Sequence, residues 1–414
     1  MMVLPVRCPG VSHPSSTSHA NVAQNERLAA GFLITPEKVV WGMDITFSHT
    51  TSLALIRAWR RSHPKQGAPH DQTFHPTCSG RSRPWTSAEL KRRVQAIGIQ
   101  EVPGAWVERG LTVLCNDKAK RPKTQVLRGR VSRPRPTGPH FLELAPETYV
   151  CNAAFTLTQL TEQLSLPQLI SLATELEGSY ALGPFGIAGE QASFGINPFV
   201  SKDMLLLQLC QLPQSRATRL ATRATILSRP NAWSPQETVL ATMIMLSPEE
   251  GGYGLGPVTL NPRIQSSGGS PMSRSSRVPD IVFADTPLAL NYDGSDHLSL
   301  IELERATLGL GADPGSSRMA AVVEQLRRQV REKYVDDRRR DRDLLVAGLE
   351  VPVVTNEDIS GIDALDLLMA QLINRLERLS YKRFDAQGAA LEDPRLTALR
   401  ARTLQGLLAR HKDR

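Results

Sequence analysis

The stretch VPDIVFADTPLALNYDGSDHL, residues 278–298, decides the fold class of the chain. It contains two short apolar runs, VPDIVF and PLALNY, separated by a turn, and this pattern predicts a β-hairpin. The second run ends in polar side chains, which are Asn291, Asp293, Asp296 and His297. An amide, two carboxylates and an imidazole at the point where a buried strand surfaces predict a functional site there.

The residues that follow this hairpin extend it into an α/β unit. Residues 318–349 form a long charged segment with an apolar stripe, and Gly348 stands where a helix would end. VPVVT at 351–355 predicts a third buried strand, and 363–379 predicts a second amphipathic helix. The order strand, strand, helix, strand, helix is that of a compact α/β domain.

Two aspartates in the hairpin are candidate metal ligands. Asp280 begins the first strand and Asp293 ends the second, so an antiparallel pairing would bring both within reach of one divalent cation. Carboxylate oxygens are the preferred ligands of Mg²⁺ or Mn²⁺, and His297 would then act as a general acid or base. The residue types therefore suit metal-dependent hydrolysis of a phosphodiester.

Each of these side chains also has a plainer explanation. Asp280 after a proline can cap a turn, and Asp293 followed by glycine is an ordinary turn dipeptide. His297 can be a surface residue. Arg340, on a helix rich in arginine, can lie on a solvated face or pair with Asp337.

The region before the hairpin is expected to be mainly helical. Two amphipathic helices are predicted on either side of Pro167, and LTVLC at 111–115 predicts a strand. A further helix should begin after Ser234 as N-cap, with Pro235 in its first turn and Glu237 closing a capping box.

The charge of the chain is uneven. Residues 1–145 contain 21 Lys and Arg against 9 Asp and Glu, whereas the remainder contains 28 against 32. Basic residues without acidic ones fill 118–138, which is either a solvated loop or an arm that contacts phosphates. The candidate nucleic-acid contacts in this segment are Lys118, Lys120, Arg121, Lys123, Arg128 and Arg130.

A chain of 414 residues is expected to form more than one domain. We expect a poorly structured region with one short helix and a linker at 1–84, a mixed, mainly helical region at 85–271, the α/β domain at 272–380, and a helical, basic tail at 381–414. The five cysteines are scattered, without a CxxC pair, which favours reduced thiols in the cytoplasm. No run of apolar residues has signal-peptide or membrane-spanning length, so no membrane partner is expected.

PDIVF, ALNYDGSDH, DRRRDRDLLVAG and VPVVT together resemble a bacterial, chiefly actinobacterial, domain family. That family belongs to the very-short-patch-repair-like branch of the PD-(D/E)XK superfamily. Its D-x-x-R-x-x-x-L-x-x-x-G pattern is matched by Asp337, Arg340, Leu344 and Gly348. The resemblance implies a restriction-endonuclease-like C-terminal domain, an Mg²⁺ or Mn²⁺ cofactor, DNA as partner, and contact between Arg340 and nucleic acid.

One position departs from the family pattern. Asn291 stands where the family has the glutamate of E-x-D-G, and an amide ligand adds no negative charge to hold a hard cation. Two functions are therefore expected as alternatives. One is a metal-dependent DNA endonuclease weakened at Asn291, and the other is a non-catalytic, nuclease-like protein that binds nucleic acid or acts as an antitoxin-type regulator. A protein partner and the oligomeric state stay open.

Overall fold

The computed structural model describes residues 44–72, 85–99, 101–115, 118, 121–122, 124–131, 138–186, 190–266, 272–293, 307–308 and 317–411. Within these ranges the chain forms two mixed β-sheets of six and four strands, covered by helices. Each sheet contributes to its own cluster of buried apolar side chains. The predicted α/β class is confirmed.

The six-stranded sheet belongs to the first half of the chain. Its strands are β1 Ile45–Phe47, β2 Asp71–Gln72, β3 Leu111–Cys115, β4 Leu127–Val131, β5 Phe141–Ala145 and β6 Thr148–Cys151. They lie in the order β2-β5-β6-β1-β3-β4, with β6–β1 and β3–β4 parallel and the other pairs antiparallel.

Most strands of this sheet were not expected from the sequence. The region before residue 272 is helix-rich, as expected, but it also contains this sheet, of which only the strand at 111–115 was predicted. The segment 44–62 contains a helix, His49–Ser62, in the region where one short helix was expected, and it also supplies the buried strand β1 in the interior of the sheet. Strands of two to five residues are too short to show a period-two pattern. Their partners are also distant in sequence, as Phe47 opposite Val150 illustrates.

Seven helices of the described chain accompany this sheet. They are α1 His49–Ser62, α2 Ser87–Gln95, α3 Gly104–Glu108, α4 Ala153–Leu160, α5 Leu166–Glu177, α6 Lys202–Cys210 and α7 Arg216–Leu227. The two helices predicted around Pro167 are α4 and α5, but Pro167 lies in the first turn of α5 instead of between them. A proline is tolerated there because the first backbone N–H groups of a helix have no intrahelical acceptor.

The four-stranded sheet is built around the predicted hairpin. Its strands are β9 Val258–Leu260, β12 Ile281–Phe283, β13 Ala289–Asp293 and β14 Val353–Thr355. Two small hairpins lie outside this sheet. One pairs β7 Tyr180–Ala181 with β8 Ser193–Phe194, and the other pairs β10 Ile264–Gln265 with β11 Ser276–Arg277. The hairpin prediction is confirmed, because β12 and β13 pair antiparallel with Ile281 opposite Leu290. β9 pairs with β12, and β13 with β14 in parallel. The sheet therefore begins before the boundary expected at residue 272.

Five more helices complete the second half of the described chain. They are α8 Pro235–Met245, α9 Ser317–Val346, α10 Ile362–Ser380, α11 Asp385–Glu392 and α12 Pro394–His411. β12, β13, α9, β14 and α10 follow one another in the predicted order. Leu404 and Leu407 of α12 are buried in the same apolar cluster as the sheet, so the segment expected to be a tail is part of that core. No helix in the described ranges is long and apolar enough to cross a membrane.

An ionic network fixes the C-terminal part of α9 against the β10–β11 hairpin. Arg277 donates from Nε to Asp343 Oδ2 at 2.7 Å, and both side chains are 4% exposed. Ser273 also donates to Asp343, through its backbone N–H at 2.8 Å. Burial raises the pKa of Asp343, but these hydrogen bonds and the Arg277 charge outweigh it and lower the pKa to about 2. The next residue, Leu344, is fully buried.

Candidate functional site

A cavity of about 920 Å³ opens at the end of the four-stranded sheet where β13 stops. One wall is the N-terminal turn of α8 and another is a face of α9. The remaining wall comes from the segment 194–197, which follows β8. Arg60 of α1 donates to the Asn197 carbonyl at 3.2 Å, and the Asn197 amide donates to the Lys65 carbonyl at 2.7 Å. The first half of the chain therefore holds part of this cavity in place.

Asp280 and Asp293, the two predicted metal ligands, both line the cavity. Asp280 immediately precedes β12, and its Oδ2 accepts a hydrogen bond of 2.6 Å from the backbone N–H of Tyr292. Asp293 is the last residue of β13 and lies opposite Thr355 of β14. The antiparallel hairpin thus brings the two aspartates to one cavity.

Asn291, the residue in place of the family glutamate, is not among the residues that line the cavity. It has no exposed surface, and its Nδ2 donates to Asp341 Oδ1 of α9 at 3.1 Å. Its Oδ1 has no hydrogen-bond partner among the described residues. The amide therefore links β13 to α9 and does not join Asp280 and Asp293 as a third ligand.

Glu237 lines the same cavity and was not expected there. The N-cap prediction is confirmed, since Ser234 Oγ accepts from the Glu237 N–H at 3.2 Å. The capping box is not formed as expected. Glu237 Oε2 accepts instead from the Trp233 N–H at 2.9 Å and from Asn261 Nδ2 at 2.5 Å. Burial first, and then the negative charge of Asp280, raise the pKa of Glu237 to about 7.

A face of α9 supplies the cations of the cavity. Lys333, Asp337 and Arg340 are spaced by four and three residues, which places them on one side of the helix, and all three line the cavity. Burial lowers the pKa of Lys333, while the charges of Asp337 and Asp293 oppose that effect. Arg340 Nη2 lies 3.7 Å from Asp337 Oδ1, and its buried Nε has no partner among the described residues. Arg340 is therefore available to a ligand.

Two large aromatic side chains border the cavity as well. Trp233 precedes the N-cap of α8, and Phe194 ends β8. The sequence signalled neither, because an isolated aromatic residue in a loop or in a two-residue strand shows no periodicity. Lys333 could have been found from its helical spacing to Asp337 and Arg340.

The predicted metal is not supported by the donor groups present. No cluster of three or more His, Cys, Asp or Glu side chains in the described part of the chain is arranged to hold a metal ion. One oxygen of Asp280 is already used by a backbone N–H, and Asn291 faces α9. His297 and Asp296 lie outside the described residues. The described residues therefore do not assemble a three-ligand site for Mg²⁺ or Mn²⁺.

The predicted basic contacts of 118–138 lie elsewhere. Arg128 and Arg130 are exposed on β4 of the six-stranded sheet, so this part of the expected loop is a strand. Arg130 lines a separate cavity of about 220 Å³. Lys118 and Arg121 are exposed near it in sequence, whereas 120 and 123 lie outside the described residues. Among the predicted nucleic-acid contacts that the structure describes, Arg340 alone lines the large cavity.

Comparison of the chain with protein-family models, with curated proteins and with solved structures finds no match.

Proposed function

We propose that this protein is a nuclease-like protein that binds nucleic acid in the large cavity, without assembling a divalent metal. The observation that carries the proposal is the buried Nε of Arg340, which faces no protein acceptor in the described chain although it belongs to a cavity-lining cation. A buried donor without an acceptor is costly, and an anionic ligand would satisfy it. Lys333 provides a second cation at the same wall.

The fold supports the nuclease-like part of the proposal. The strand-strand-helix-strand-helix order around a mixed four-stranded sheet is the one that the resemblance to the PD-(D/E)XK superfamily implies. Asp280 and Asp293 stand at the strand ends where that resemblance puts acidic residues. The position of Asn291 against Asp341 favours binding over hydrolysis, because the family's third anionic ligand is replaced by a group engaged elsewhere.

Phosphate chemistry explains why nucleic acid fits the cations. A guanidinium group binds phosphate oxygens through two parallel hydrogen bonds, and a lysine adds a point charge. Each such charge-assisted contact contributes about 1.5–3 kcal/mol. Arg340→Ala is therefore expected to weaken binding about tenfold or more.

The test is fluorescence anisotropy with labelled DNA and RNA oligonucleotides and the full chain. Arg339→Ala is the matched control, because Arg339 is the neighbouring arginine of α9 but is exposed and does not line the cavity. We expect binding that weakens steeply with salt, a large loss in Arg340→Ala and a small one in Arg339→Ala. Absence of binding at low salt, or equal loss in the two variants, would refute the proposal.

A second candidate function is metal-dependent cleavage of DNA. It is favoured by the presence of Asp280, Asp293 and Glu237 around one cavity. Plasmid nicking with Mg²⁺ or Mn²⁺, compared with Asp293→Ala, separates the candidates. Nicking that depends on Asp293 would favour the catalytic function over the binding function. Absence of nicking in both proteins would support the binding function.

A further inference from the structure

Trp233 and Phe194 expose unusually large aromatic surfaces at the rim of the cavity. Trp233 is 44% exposed and Phe194 is 61% exposed, and both line the cavity that contains Lys333 and Arg340. Large aromatic residues are mostly buried in folded chains, and those left exposed beside polar groups commonly mark binding sites. The pair is therefore a candidate contact for the flat face of a ligand.

Trp233 is held in place by hydrogen bonds. Its indole Nε1 donates to Asn231 Oδ1 at 3.0 Å, and its backbone N–H donates to Glu237. The Asn231 amide is itself fixed, since Nδ2 donates to the carbonyl oxygens of Leu260 and Asn261 at 3.2 and 3.1 Å. The ring is thus pre-positioned, which reduces the entropy lost on binding.

Phe194 is anchored through the β7–β8 hairpin. It pairs with Tyr180, whose buried hydroxyl shares a hydrogen bond of 2.9 Å with the Thr238 hydroxyl of α8. Because α8 also begins one residue after Ser234, the same helix fixes the backbone of both aromatic residues.

The chemistry around the rim matches a nucleotide more closely than a phosphate alone. The rings provide stacking surfaces, and the Asp280 carboxylate can accept hydrogen bonds from amino groups of a base. The cations of α9 can hold the attached phosphate. The volume of about 920 Å³ is within the range of small-ligand pockets.

Only an unpaired base can use such a rim. In a duplex each base face is covered by its neighbours, whereas an unpaired base can stack on an aromatic side chain. We propose that the cavity binds unpaired nucleotides of single-stranded nucleic acid, with the base stacked at Trp233 and Phe194 and the phosphate at Lys333 and Arg340. This inference rests on the proposed nucleic-acid-binding function and specifies its ligand.

The test compares three labelled oligonucleotides by fluorescence anisotropy with the full chain. They are a single-stranded DNA, a single-stranded RNA of the same sequence, and the DNA as a blunt duplex. We expect a single strand to bind at least tenfold more tightly than the duplex, and the two single strands distinguish DNA from RNA as the source. Trp233→Ala should weaken single-strand binding about 5- to 100-fold, because one stacked base is lost.

Three further variants make the result specific. Trp233→Phe keeps an aromatic face and should retain most of the affinity, and Phe194→Ala should reproduce the loss. Tyr381→Asn is the control, because Tyr381 is 94% exposed and does not line the cavity. Asparagine also tolerates the positive φ of 57° at that position.

The outcomes separate this inference from the proposed function. Binding that depends on Arg340 but not on Trp233 or Phe194, or that prefers the duplex, overturns the inference and leaves the function standing. Failure of every oligonucleotide to bind overturns both. If Trp233→Ala does not fold, Phe194→Ala decides, together with protection of the Trp233 indole from acrylamide quenching by bound single strand in the wild type.

Discussion

Glu237→Gln should remove a pH dependence from the stability of the protein. The pKa of Glu237 is raised from 4.5 to about 7 in the folded chain by burial and by the charge of Asp280. Below about pH 4.5 the carboxyl is protonated in both the folded and the unfolded state. Between that pH and about 7 the unfolded chain loses the proton and the folded chain keeps it, so the free energy of unfolding falls as the pH rises.

The size of this fall in unfolding free energy follows from the rise in the pKa of Glu237. Each pKa unit corresponds to about 1.4 kcal/mol, so the wild type should lose about 3 kcal/mol through this group between about pH 4.5 and pH 7. Glutamine keeps an oxygen that can accept from the Trp233 N–H and from Asn261, but it does not titrate. The difference in unfolding free energy between Glu237→Gln and wild type should therefore grow by about 3 kcal/mol over this range.

The assay is urea denaturation of both proteins at several pH values from about 5 to 8. Exposed Glu249→Gln is the control and should run parallel to wild type. Asp280→Asn should reduce the effect, because it removes the second cause of the raised pKa of Glu237. Parallel curves for wild type and Glu237→Gln would refute the reasoning.

Three other substitutions test the packing around the site. Asn291→Glu places a second carboxylate against Asp341 in a buried position, so we expect the unfolding free energy to fall by about 1–3 kcal/mol, with no gain of Mg²⁺ binding in calorimetry; metal binding would contradict this. Arg277→Ala leaves the buried Asp343 without its cation and should cost about 3–5 kcal/mol in urea denaturation, and a loss under about 1 kcal/mol would show that the pair is dispensable. Leu407→Ala should lower the free energy of unfolding by about 2–5 kcal/mol, because this side chain is fully buried in the second apolar cluster. An unchanged urea midpoint would show that α12 does not contribute to that core.

Local signals were sufficient for several elements of the fold. The N-cap at Ser234, the hairpin from 278 to 292 and the end of α9 before Gly348 depend on neighbouring residues, and each is present in the structure. The six-stranded sheet could not be predicted in this way. β1 has three residues and β2 has two. The residues of β6 that pair with β1 lie about 100 positions away in sequence, and the residues of β5 that pair with β2 lie about 70 positions away.

The residues of the site divide in the same way, into those placed by local sequence signals and those placed by packing between distant segments. Asp280 and Asp293 could be placed at the same end of the sheet, because the antiparallel hairpin sets the start of β12 beside the end of β13. Glu237 could not, because an acid in the first turn of a helix looks like a capping residue until its contact with Asn261 is known. Asn291 was expected beside the aspartates, but its contact with Asp341 depends on how α9 packs, which the strand pattern does not determine.

The division of the cavity between the two halves of the chain limits how such a site can be inherited. A segment beginning at residue 272 would carry Asp280, Asp293 and Arg340, but it would leave behind Glu237 and the aromatic rim. Recombination that moved only this segment into another protein would therefore transfer the strand ends without the complete binding site. Under the proposed function, selection for binding would act on both halves together, including Arg60, which does not line the cavity but donates to the Asn197 carbonyl in its wall.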